Sequence, residues 1–191
     1  FYKGSVGRAL VAASTAGKGI LTQADLDQYT VRELAPIECD YRGYRIVSAP
    51  PPSSGGAVIC EILNIVEGYP MKELGFRSAQ AVHYQIEAMR HAYVDRNSYL
   101  GDPDFVKNPL DRLLDKGYAA SIRAVIDPNK AGVSQDIKPG VAPHEGSNTT
   151  HYSIIDKDGN AVSVTYTLND WFGAKVTAAH TGVLLNNEMD D

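Results

Sequence analysis

The chain has 191 residues, 43% of them hydrophobic, and its 18 basic and 23 acidic side chains give a formal net charge of −5. That length is enough for one domain with a sizeable core. The acidic balance excludes the electrostatic footprint of a nucleic-acid or anionic-membrane binder, which leaves small-molecule chemistry as the better reading. No apolar run approaches the roughly twenty residues that a membrane span requires, and no signal peptide opens the chain. Both ends, Phe1-Tyr2-Lys3-Gly4 and Glu188-Met189-Asp190-Asp191, read as cut, as in an internal fragment.

From Gly4 to Ala16 the alanine-rich segment with Val6, Leu10 and Val11 suits a helix that Gly17-Lys18-Gly19 ends. A short helix follows, with Thr22 as N-cap and Asp25 three residues on. Val31 to Cys39 and Tyr44 to Ser48 read as two strands joined across Asp40-Tyr41-Arg42-Gly43, a β-ribbon at about 31–48. Pro50-Pro51-Pro52 must be extended. Ser53-Ser54-Gly55-Gly56 then opens a helix with a serine cap and glycines that admit a neighbouring backbone, and it lacks the Lys-Ser/Thr end of a phosphate loop. Cys60 lies in the apolar run of that helix, so Cys39 and Cys60 are expected to be buried free thiols rather than a bridge.

Ser78 to Tyr99 is the longest helical candidate, with Val82, Ile86, Met89 and Tyr93 forming one apolar stripe. His83 and His91 flank that stripe without the partners of a metal motif, and packing or surface roles are expected of them. Gly101-Asp102-Pro103-Asp104 makes a turn, and Asp95, Arg96, Asp102 and Asp104 suggest a charged corner. A further helix runs from about Asp115 to Ile126 and stops before Pro128. Residues 129–148, rich in Gly, Pro, Ser and Asn, read as a linker.

The segment from Asn148 to Asn169 is the most legible part. Val162, Val164, Tyr166 and Leu168 alternate with Ser163, Thr165, Thr167 and Asn169, the period of a strand with one apolar and one hydroxyl face. On the first arm Tyr152 and Ile154 oppose Thr149, His151 and Ser153. A two-residue Asp158-Gly159 loop would set polar against apolar positions, whereas a three-residue loop with Gly159 left-handed pairs Asp156 with Asn160. That register puts Thr149 opposite Thr167, with Asn169 just beyond. A half-solvated sheet face, rich in threonine for its β-propensity, explains the same pattern without any chemistry.

Thr149-Thr150-His151-Tyr152-Ser153, Asp158-Gly159-Asn160-Ala161-Val162, Thr165-Tyr166-Thr167-Leu168-Asn169 and Asn186-Asn187-Glu188-Met189-Asp190-Asp191 together resemble the nucleophile region of bacterial γ-glutamyltransferases. Upstream, Pro50 to Gly56 and the stretch from Asp95-Arg96 to Phe105 resemble the same family, so the likeness runs through nearly the whole chain. The resemblance implies an α/β fold, part of the αββα sandwich of the N-terminal-nucleophile hydrolases. It further implies that residues 1–148 end a large subunit and that residues 149–191 begin a small one, cut apart by the enzyme itself between Asn148 and Thr149.

On that resemblance Thr149 is the nucleophile, first toward the Asn148 carbonyl and then, from its new N-terminus, toward the γ-amide of a glutathione-like substrate. Its freed α-amine, with an ordinary pKa of about 8, can take the hydroxyl proton. Thr167 would orient the hydroxyl, and Asn169, Glu188 and Asp191 would hold the substrate α-ammonium, for which an amide oxygen and two carboxylates are suited. The expected partners are a γ-glutamyl donor, an amino-acid or water acceptor and the rest of both subunits, in a periplasmic or secreted setting. No cofactor or metal is expected, since Gly159 is misplaced for a calcium loop around Asp156, Asp158 and Asn160.

Two alternatives stand beside this reading: an acylase for glutaryl or cephalosporin side chains, and a non-catalytic homologue that only binds. The family's oxyanion-hole glycines, its substrate-binding serine pair and its carboxylate-binding arginine have no counterpart in these 191 residues. Residues 1–191 alone are therefore expected to be inactive. Trp171 and Phe172 are expected to pack rather than to line an acceptor site.

Overall fold

The computed structural model describes residues 1–134, 136–137 and 149–188. Its elements run α1 (Ser5–Ala16), α2 (Gln23–Gln28), β1 (Ile37–Tyr41), β2 (Tyr44–Ser48), α3 (Gly55–Glu67), α4 (Met71–Leu74), α5 (Ala79–Tyr99), α6 (Leu110–Leu113), α7 (Lys116–Arg123), β3 (Thr149–Ile155) and β4 (Ala161–Thr167). The mixture of helices and strands is the α/β class read from the sequence. The chain divides into two units, Phe1–Arg32 with Pro143–Asp191, and Glu33–Ala142.

In the unit Glu33–Ala142, α3 is the central element. One face of it meets α5 and α7 through Ile65, Val66, Ala88, Ala119, Ile122 and Ile126, and another meets β1 through Ala57, Cys60 and Ile37. Gly56 is needed where α3 starts: a Cβ there would lie 2.4 Å from the Ala49 carbonyl oxygen, so the expected close backbone approach is real. The expected serine cap is not. Ser54 sits in a helical conformation without a capping bond, and its hydroxyl instead accepts from Arg96 Nε at 3.2 Å.

The ribbon is shorter at its start than the sequence suggested. β1 begins at Ile37 because Pro36 has no N–H to give a ladder, and Arg42 and Gly43, both at positive φ, close a two-residue turn. Pairing of β1 with α3 overturns the expectation of free thiols. Cys39 and Cys60, 21 positions apart with Cα atoms 6.0 Å apart, form a disulfide, since the strand lies directly on the helix face that carries Cys60. Removing it as Cys39→Ala/Cys60→Ala in the full-length protein is expected to cost about 3 kcal/mol, read by urea unfolding.

The predicted stripe on α5 is also not the face buried here. Ala81, Ala88, Ala92 and Asp95 face inward, and the small side chains let α3 approach closely. Val82, Ile86, Met89 and Tyr93 lie about 100° further round the helix and are exposed. Ser78 caps α5 by accepting from Ala81 N, and Asp115 caps α7 by accepting from Tyr118 N at 2.7 Å, so the helix expected over 115–126 starts one residue later, and it ends earlier, spanning Lys116–Arg123 with Ala124 as its C-cap. His83 touches the Asp127 carbonyl oxygen at 2.8 Å, and burial lowers the pKa of His91. Of the linker read over 129–148, residue 135 and residues 138–148 lie outside the described residues.

Between α3 and α5 the buried Glu61 faces Asp95, which accepts from the Tyr118 hydroxyl, while Arg112 donates to Tyr118 at 3.0 Å. Burial first, then the hydrogen bond with Asp95, pushes the Glu61 pKa up to about 9. A carboxyl raised this way gives its full stabilisation below its ordinary value of 4.5 and loses it as the pH climbs through about 9. In the full-length protein Glu61→Gln is therefore expected to gain Tm over the parent with every step from pH 5 to pH 9, and to lie level with it at pH 4. A parallel pair of melting curves across that range would contradict this.

In the unit Phe1–Arg32 with Pro143–Asp191, α1 ends at Gly17 and α2 carries the full capping box. Thr22 Oγ1 accepts from Asp25 N, and Asp25 Oδ2 accepts from Thr22 N at 2.7 Å. β3 and β4 pair antiparallel in the register read from the sequence, Thr149 opposite Thr167 and Ile155 opposite Ala161. The loop has Asp156 N bonded to Asn160 O at 3.0 Å and Gly159 at φ +83.

Candidate active site

The hairpin's polar side carries four functional groups in a row. His151 Nδ1 lies 2.7 Å from Thr165 Oγ1, its Nε2 lies 3.1 Å from Ser163 Oγ, and Ser153 Oγ lies 3.3 Å from Ser163 Oγ. These contacts follow from the alternation: His151 faces Thr165 and Ser153 faces Ser163 in the ladder. The other side, with Tyr152, Ile154, Val162 and Tyr166, is apolar and exposed, and Tyr152 meets Tyr166 edge to face at 6.2 Å.

At the open end of the ladder the backbone register sets Thr149 against Thr167. Thr167 Oγ1 accepts from Asn169 N at 2.9 Å. One lone pair of the oxygen is thereby engaged, and the hydroxyl can both donate and accept in its other bonds. Asn169 itself sits at φ +71, a left-handed conformation that asparagine tolerates better than most residues, and this turns the chain sharply out of β4.

The chain then makes a closed loop and returns beside its own start. Ala174 N donates to Leu185 O and Leu185 N to Val176 O, both at 2.9 Å, and Thr177 bridges Leu184. Gly173, at φ +56, is required at the crossing because a Cβ there would lie 2.3 Å from Leu185 O. Asn187 closes the mouth. Its N–H donates to Leu168 O at 3.2 Å, its Oδ1 accepts from Asp170 N at 3.1 Å, and its backbone oxygen lies 3.4 Å from Asn169 Nδ2.

Glu188 follows at once, exposed, with its N–H donating to Asn186 Oδ1 at 3.0 Å. The loop thus brings the backbones at Asn169 and Glu188 to the same mouth, beside the end of the ladder where Thr149 and Thr167 pair. Asn148 and Asp191, the remaining predicted site residues, lie outside the described residues. Trp171 and Phe172, expected to pack, are instead 69% and 64% exposed. The turn between β3 and β4 offers a cation little: Asp156 accepts from Asp158 N, Asn160 N and Asn160 Nδ2, bonds that lower its pKa, the Asn160 side chain most. Among the described residues no cluster of three or more His, Cys, Asp or Glu could hold a metal ion.

Sequence reasoning passed over Asn187. The only signal was the Asn186-Asn187 doublet after the apolar Val183-Leu184-Leu185, and a doublet of asparagines reads equally well as any surface turn.

Comparison with known proteins gives this arrangement a context. The family described as Gamma-glutamyltranspeptidase matches residues 1–191. A glutathione hydrolase proenzyme from Pseudomonas sp. (strain A14) is 81% identical over the whole chain, which covers 33% of that protein. An acylase ACY 1 proenzyme from Pseudomonas sp. (strain SE83) is 44% identical over 98% of the chain, again 33% of the relative. The crystal structure of Helicobacter pylori gamma-glutamyltranspeptidase superposes with a TM-score of 0.71 at 43% identity, over 78% of this chain and 43% of that one. The chain spans about a third of the length of the curated relatives it matches.

Proposed function

This chain belongs to the gamma-glutamyltranspeptidase family, and from that premise we propose that it carries the nucleophile segment of an enzyme that transfers or hydrolyses γ-glutamyl groups. Residues 1–148 form the end of the large-subunit region and residues 149–191 the start of the small one. In the precursor the Thr149 hydroxyl attacks the Asn148 carbonyl, Thr149's own nitrogen leaves with a proton as the free α-amine, and water hydrolyses the resulting ester, which releases the Asn148 carboxylate and restores the Thr149 hydroxyl. That amine takes the hydroxyl proton in the second reaction. The Thr149 oxygen then attacks the γ-amide carbon of a glutathione-like donor, the amine departs with a proton, and the acyl ester passes to water or to an amino acid.

In this reading Thr167 aims the Thr149 hydroxyl, while the Asn169 side-chain oxygen, Glu188 and Asp191 hold the donor's α-ammonium. The observation that carries it is the ladder register Thr149↔Thr167 ending at the mouth where Asn169 lies against Asn187, the residue before Glu188. The Cys39–Cys60 disulfide supports a periplasmic or secreted setting, since such bonds persist outside the reducing cytoplasm. Among the described residues no helix is long and apolar enough to cross a membrane.

A second reading, a glutaryl or cephalosporin-type acylase, is favoured by the 44% identity to an acylase proenzyme. The two differ in what the pocket must neutralise: a glutaryl group has no α-ammonium and has no use for two carboxylates. The full-length protein, incubated with γ-glutamyl-p-nitroanilide and glutaryl-p-nitroanilide in parallel, decides between them. Release of nitroaniline from the first at ten times the rate of the second or more is expected. Preference for the glutaryl compound would favour the acylase, and turnover of neither by an uncut chain would leave a binding homologue.

A further inference from the structure

The loop from Asn169 to Glu188 has no sheet to hold it at its mouth, yet it must deliver two side chains to one ammonium ion. β4 ends at Thr167, Asn169 turns the chain at φ +71, and the Asp170 N–H that follows donates to a side-chain oxygen. One residue takes up that donor and ties both ends of the loop together. We propose that Asn187 is a positioning residue that sets the separation of Asn169 and Glu188, and with it the discrimination for the donor's α-ammonium; the inference rests on the γ-glutamyl reading above.

Three bonds converge on it. Asn187 N–H to Leu168 O fixes the returning segment beside the end of β4, Asp170 N–H to Asn187 Oδ1 fixes the outgoing one, and Asn169 Nδ2 reaches Asn187 O. The last bond engages one of the two N–H groups of Asn169 Nδ2 and so turns the amide nitrogen toward Asn187, leaving the side-chain oxygen as the end suited to an ammonium. Glu188 is the next residue in the chain, and its own N–H is tied back to Asn186 Oδ1. Gly173 locks the far part of the loop by its close approach to Leu185 O, so that freedom at the mouth is what remains for Asn187 to remove.

Only the side-chain Oδ1 bond can be altered by substitution, and the carbonyl oxygen is the part that matters. Asn187→Asp keeps an acceptor at that position, whereas Asn187→Ala deletes it and leaves a loop N–H without its partner. A net hydrogen bond of this kind corresponds to about a tenfold change in an equilibrium. The affected quantity is the recognition of the α-amino group and not the cutting of the chain, because self-cleavage uses no ammonium.

The test uses full-length, processed protein and three forms: parent, Asn187→Ala and Asn187→Asp. Each is assayed with γ-glutamyl-p-nitroanilide, and the turnover is inhibited with L-glutamate, which carries the α-ammonium, and with glutarate, which lacks it. For Asn187→Ala the L-glutamate inhibition constant is expected to rise about tenfold, with kcat/KM falling in step, while the glutarate constant stays within twofold. Asn187→Asp is expected to stay within threefold of the parent on both. All three forms should be cut at Asn148-Thr149. Equal weakening toward both inhibitors, or no weakening in Asn187→Ala, overturns the assignment while leaving the γ-glutamyl reading intact. A parent that does not turn over the γ-glutamyl anilide overturns that reading, and the role of Asn187 falls with it.

Discussion

Thr149→Ala in the full-length protein is expected to leave a single uncut chain on a denaturing gel and to lower γ-glutamyl-p-nitroanilide turnover by at least about a thousandfold. The loss is compound. Without the hydroxyl there is no attack on the Asn148 carbonyl, so no α-amine is released, and the base for the second reaction is never made. Thr149→Ser separates the two roles of the residue: it keeps the oxygen and should still be cut, more slowly. A cut chain in Thr149→Ala would show that another residue performs the cleavage, and the assignment of position 149 would not survive it.

Thr167→Val carries the second-largest expected effect. Valine keeps the shape and the β-propensity of threonine and removes one oxygen. That oxygen accepts from Asn169 N at 2.9 Å, so the substitution both leaves a backbone N–H without its acceptor and takes away the hydroxyl that would aim Thr149. Misplacement of a nucleophile by about an ångström costs on the order of a hundredfold in rate, and kcat is expected to fall by about that much. Self-cleavage should slow in parallel, because the same oxygen attacks in both reactions. Thr167→Ser restores the hydroxyl and should recover activity to within about fivefold. A Thr167→Val protein that cuts itself and turns over substrate at the parent's rate would remove Thr167 from the site.

The disulfide and the Glu61–Asp95 pair bear on stability rather than on this chemistry. Both lie in the unit Glu33–Ala142, and each fixes a partner of α3, β1 in one case and α5 in the other. Their expected effects are therefore read by unfolding and not by rate.

The sequence by itself determined the local structure wherever the controlling interaction spans a few residues. The hairpin register followed from alternation plus a glycine that had to be left-handed, and the cap at Thr22 followed from a side chain reaching three residues ahead. It also determined the family, through motifs whose residues stand close together in the chain. What only the tertiary structure decided are the contacts between segments far apart in sequence. Which face of α5 is buried depended on α3 arriving at the small alanines rather than at the Val82–Tyr93 stripe. Whether two cysteines 21 positions apart bond depended on β1 lying against α3. The clasp at Asn187 depended on a loop returning to its own start, and that return is closed by backbone hydrogen bonds, which every residue but proline can make and which therefore leave almost no trace in residue type.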